Sequence, residues 1–206
     1  MKRTRSLSAA VAVTALAAVL AGCSGGGQGA EVPGGATPPS TGQPEQPGQA
    51  PHDQADVTFA SGMIPHHQQA VEMSRAAVDR ARSQEVRDLA ERIRAAQGPE
   101  IQELSGWLRS WGVEVPSGSA MPGMDHGEHG DGMMSPAEME QLERSSGAEF
   151  DEAFLTMMIE HHEGAVAMAR TELSNGRFPE AKRLAQRIID TQQAEIDTMR
   201  RLLATG

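Results

Sequence analysis

Met63-Ile64-Pro65-His66-His67-Gln68-Gln69-Ala70-Val71-Glu72-Met73 decides how this chain folds, because it occurs twice. Ninety-five positions later the chain reads Met158-Ile159-Glu160-His161-His162-Glu163-Gly164-Ala165-Val166-Ala167-Met168. The match runs without a gap over residues 56–108 and 151–203. Asp56 and Phe59 recur as Asp151 and Phe154, and Arg75 as Arg170. Further on, Glu85, Leu89, Ala90, Arg92, Ile93, Gln97, Glu100 and Ile101 recur as Glu180, Leu184, Ala185, Arg187, Ile188, Gln192, Glu195 and Ile196. So many identities at one constant offset mark an internal duplication.

Within each copy, apolar residues recur three and four positions apart and β-branched runs are absent, which is the helical period. The pattern predicts helices over about 56–82 and 84–111, and again over about 149–173 and 179–203. Pro179 suits a first helical turn, and Asn175-Gly176 before it reads as a stop. Each helical hairpin is amphipathic and needs another to cover it, so the expected class is all-α, a four-helix bundle of two duplicated hairpins.

The flanking segments read differently. Met1-Lys2-Arg3-Thr4-Arg5, the apolar run Leu7 to Leu20 and then Leu20-Ala21-Gly22-Cys23 have the order of a secretory signal ending in a lipoprotein cleavage box. The expectation is a signal peptide over 1–22, a lipid on Cys23, and a protein anchored to the outer face of the cell membrane. Cys23 is the single Cys among 206 residues, leaving no internal disulfide and no thiolate ligand. Residues 23–52 are rich in Gly, Pro and Gln with almost no large apolar residue, a tether that cannot offset its ordering entropy by burial. The domain then spans 53–206, with repeats over about 56–111 and 149–204. Between them, over about 116–136, Met121, Met124, His126, His129, Met133 and Met134 are spaced by Gly, Asp and Glu, a low-complexity loop expected to order around a ligand. The formal charge is −10, and about −13 once Lys2, Arg3 and Arg5 are removed with the signal. That balance disfavours nucleic acid as a partner.

At about 100° per residue, the first helix of each copy places its two histidines on different faces. His67 lies in the middle of an apolar face that includes Phe59, Met63, Ile64, Ala70, Val71, Ala77 and Val78. His66 lies with Met73 on one flank. His162, His161 and Met168 repeat this. On the second helix, Glu100 and Gln97 fall on the apolar face of Leu89, Ile93, Leu104 and Trp107. Glu195 and Gln192 do the same. A carboxylate there is costly unless paired or metal-bound, so an inner polar cluster of His67, Gln97 and Glu100 with His162, Gln192 and Glu195 is expected. It would either fix helix register or hold a metal. The flanking Met63, His66 and Met73, with Met158, His161 and Met168, offer thioethers and imidazoles. Without a thiolate these suit copper, Cu(I) above Cu(II), captured at the surface of the helices.

The paired motif resembles the signature of the domain-of-unknown-function 305 family. Gly123-Met124 ahead of Met139 and Leu142, Gly147-Ala148-Glu149-Phe150-Asp151, Gln97-x-x-Glu100-Ile101 and Trp107-Leu108 share in the resemblance. It implies a ferritin-like bundle, often exported, with copper binding and resistance in some members. Pro65 and Glu160 differ at equivalent positions, so the copies need not bind equally well.

Three functions compete. The first is a copper-binding lipoprotein for copper homeostasis or resistance, with copper-handling proteins as candidate partners. The second is a ferritin-like oxidoreductase with a His/Glu di-metal centre holding iron. It is weaker because di-iron bundles draw more carboxylates than one per copy. The third is an interaction module without metal. No nucleophile constellation, phosphate loop or cofactor fingerprint appears, so no residue is assigned a catalytic role and no enzyme activity is expected.

Overall fold

Asp53 starts the first helix. Its side chain accepts from the N–H groups of Ala55 (2.9 Å) and Asp56 (3.3 Å), and Asp56 returns the bond to the Asp53 N–H, a reciprocal cap that satisfies donors left over at a helix start. The computed structural model describes residues 51–117 and 132–205. Helix α1 runs Gln54–Arg80, α2 Gln84–Ser110, α3 Pro136–Arg144, α4 Ala148–Asn175 and α5 Pro179–Thr205. All described secondary structure is helical apart from one isolated bridge between Ala81 and Gly147.

The four long helices sit within one or two residues of the positions their periodicity predicts. Helix α3 is new relative to the sequence reading. Ser135 caps it, Glu138 completes the reciprocal bond and Pro136 occupies its first turn. The signal peptide, Cys23 and the tether as far as residue 50 lie outside the described residues, as do Met121, Met124, His126 and His129.

Helix α1 packs on α2, α4 packs on α5, and the two hairpins meet mainly through α1 against α4. The duplication is visible in how each repeat closes the other. Asp56 on α1 accepts the N–H groups of Arg177 (3.1 Å) and Phe178 (2.8 Å) in the turn between α4 and α5. Its counterpart Asp151 on α4 accepts those of Arg82 (3.0 Å) and Ser83 (2.9 Å) in the turn between α1 and α2.

Two apolar clusters fill the interior. One gathers Met73, Ala77, Leu89, Ile93, Phe150, Phe154, Met158 and Met199. The other gathers Phe59, Met63, Ile64, Leu104, Leu108, Leu184 and Ile188. At the outer end of the second, Trp107 and Trp111 pack edge-on against Phe178, and His52 stacks flat on Trp111 with ring centres 4.4 Å apart.

Candidate metal centre

Along α1 and α4, His66, His67, His161 and His162 fall between the residues of the two apolar clusters, and all four are buried. Their placement comes from the chain itself. Adjacent residues on a helix point about 100° apart, so a His-His pair must send one ring toward its own hairpin and the other elsewhere. His67 turns to α2, where its Nε2 lies 2.7 Å from Glu100 Oε2. His162 turns to α5, with Nε2 2.7 Å from Glu195 Oε2. His66 and His161 turn to each other across the α1–α4 contact, ring centres 3.8 Å apart and planes 46° apart.

The two carboxylates are not sealed in. The side chains of Glu100 and Glu195 keep 18 % and 13 % of their exposure, while the imidazoles they hold keep none. Each contact leaves the second ring nitrogen unused: the Nδ1 atoms of His67 and His162 are buried and have no hydrogen-bond partner. A carboxylate fixing one imidazole nitrogen so that the other can bind a metal is a recurrent arrangement around protein metal sites. Burial, reinforced by the neighbouring imidazoles of His66, His162 and His67, holds His161 well below the usual histidine range, so it is a neutral donor at ordinary pH. Gln97 and Gln192 are also buried, with both amide atoms of Gln97 and the Oε1 of Gln192 unpartnered.

The surface-capture expectation is corrected by the packing. His66 and His161 are interior, and Met63, Met73 and Met158 are fully buried. Nor do Met63 and Met73 flank one site together. Met63 shares the second apolar cluster with the half-buried Met168 of the other repeat, and Met73 shares the first with Met158. The reason is the α1–α4 contact: each flank that looked solvent-facing on an isolated helix is covered by the helix of the other copy. Met168 lies directly over α1 at Gly62, where an added Cβ would stand 2.9 Å from its methyl carbon. The two thioether pairs thus come one to each apolar cluster, on either side of the imidazoles along α1 and α4.

Met134 is a second correction. The sequence placed it in a low-complexity loop expected to order around a ligand. It is buried in the first cluster, and Gln69 binds its main chain at both ends, Nε2 donating to the carbonyl (2.8 Å) and Oε1 accepting the N–H (2.7 Å). Met133 beside it is half-buried. Sequence reasoning missed Gln69, and also Met157, which packs against the first cluster. Among the described residues, no three His, Cys, Asp or Glu side chains are arranged to hold a metal ion. Thioether sulfur and imidazole nitrogen together make a soft donor set of the kind that suits cuprous ion.

The sequence pattern of the family described as a domain of unknown function, DUF305, matches residues 56–203. The chain belongs to the DUF305 family. Among solved structures, a DUF305 protein from Streptomyces coelicolor, described as secreted, is 38% identical with a TM-score of 0.66, over 73% of this chain and 93% of that one. A DUF305 fragment from Deinococcus radiodurans is 32% identical with a TM-score of 0.68, over 77% and 99%. CopM in its Cu(II)-bound form is 35% identical with a TM-score of 0.63, over 73% and 96%. CopM is also similar in Cu(I)-bound, silver-bound and apo forms. No curated protein matches the chain.

Proposed function

We propose that this DUF305 protein is an exported lipoprotein, anchored through Cys23, that binds copper for homeostasis or resistance. In this reading residues 1–22 are the signal, 23–52 the tether, and the four long helices a ferritin-like bundle holding the metal. The observation that carries it is the buried set of four imidazoles, two from each repeat, with thioethers in the apolar clusters on either side. His66, His67, His161 and His162 supply nitrogen, and Met63, Met73, Met158 and Met168 supply sulfur. Met121, Met124, His126, His129, Met133 and Met134 add the same donors in the inter-repeat segment. The copper- and silver-bound forms of CopM support the choice of metal, and a secreted relative supports an extracytoplasmic place. Cu(I) is favoured above Cu(II) because thioether sulfur prefers the softer ion. An iron di-metal centre is less favoured, since Glu100 and Glu195 are each engaged by their own repeat's imidazole.

The test is retention of Cu(I) by the purified domain against a chromogenic chelator. Wild type is expected to retain copper, and His66→Leu with His161→Leu to lose it while keeping its helical circular dichroism. Copper lost equally by wild type, or kept equally by the variant, would sink the reading.

A further inference from the structure

We propose that Gln69 and Gly132 are positioning residues for the metal layer, clamping the segment Gly132–Met134 across the α1–α4 seam beside His66 and His161. This rests on the copper reading above. Among the positions where the repeats differ, the first has Gln69 where the second has Gly164. Each lies three residues after the first histidine of its pair, His66 or His161, about 4.5 Å along the helix axis. The chain returning from between the repeats meets both. Gln69 is buried and spends its donor and its acceptor on the main chain of Met134, at 2.8 and 2.7 Å. Gly132 lies against α4 on the turn that carries His161. A Cβ there would stand 2.5 Å from the carbonyl oxygen of Glu160 and 3.1 Å from Cα of Gly164, and φ is +72°. Glycine alone satisfies both conditions.

Met133 is held between these anchors, and Met134 enters the cluster that contains Met73 and Met158. A side-chain amide bound at both ends to one residue leaves that segment a single register. Fixing the chain that carries or covers the donors is how residues outside a ligand shell tune a metal site. The clamp therefore supports binding at the imidazole–thioether layer without contributing a donor atom of its own.

Three variants of the full domain test this: Gln69→Met, which keeps the volume and loses both bonds; Gln69→Glu, which keeps only the acceptor; and Gly132→Ala. Gln69→Met and Gly132→Ala are each expected to lower apparent Cu(I) affinity about 10- to 100-fold in chelator competition, with Gln69→Glu between them and wild type. Loading wild type with Cu(I) or Ag(I) is expected to slow hydrogen exchange at the Met134 amide. A merely structural Gln69 would lower the melting temperature while the folded variants bound copper as tightly as wild type, and that result overturns the proposal. Absence of binding by wild type would instead overturn the copper reading and this inference with it.

Discussion

Glu172 departs from the repeat, and the departure changes its chemistry. Its counterpart in the first copy is Ala77. It is buried beside Asp56, close enough to Gly176 that any larger residue there would strike its carboxyl group. Burial, the hydrogen bond and charge of Asp56, and the charge of Asp53 raise it to about 8, with Lys182 opposing. Burial pushes Asp56 upward too, but the N–H groups of Phe178, Asp53 and Arg177, together with Glu172, outweigh it and hold Asp56 below the usual carboxylate range. Asp56 is therefore the charged partner and Glu172 the neutral one. A raised acid keeps its proton on folding, so the stability it contributes is complete below its ordinary value of 4.5 and is lost as pH rises toward about 8. Thermal melts from pH 5 to pH 8 should accordingly fall less in Glu172→Gln than in wild type. Parallel curves would show that Glu172 titrates normally. A single residue of this kind is invisible to periodicity: the duplication flags the Ala77/Glu172 mismatch, but only the fold shows that Asp56 faces it.

At the scale of elements, the turns depend on aspartates from the opposite repeat. Asp151→Ala removes the acceptor for two N–H groups at the α1–α2 turn, and unfolding in urea should show a loss of about 1–3 kcal/mol. Asp151→Asn, which keeps an acceptor, should recover part of it; an unchanged midpoint for both would mean that water serves the turn equally well. The long helices were readable because each runs more than 25 residues with a sustained period. Helix α3 has nine residues, too few for a period, although Ser135, Pro136 and Glu138 spell out its start. Val78 lies on the apolar arc of α1 yet is 55 % exposed, because an angular reading assigns a face without showing where along the helix a neighbour covers it. The His67–Glu100 and His162–Glu195 pairs arise from facing arcs within one hairpin. Gln69–Met134 does not, since one partner lies outside any repeating pattern.

For the whole molecule, the duplication made the four long helices legible and left open which of their faces meet. Placing α1 against α4 turned two helix flanks into interior, and that step moved Met73, His66 and His161 from presumed surface to core. The four imidazoles are consequently shared property: neither repeat assembles them alone. One consequence concerns light. Both tryptophans of the chain, Trp107 and Trp111, stand at one end with Phe178 and His52, and the chain has no tyrosine. Ultraviolet emission is thus a lamp fixed at that end, whereas far-ultraviolet dichroism sums over every helix. Melting followed both ways should give coincident curves if the repeats unfold as one unit, and separated curves if the lamp-bearing end opens first.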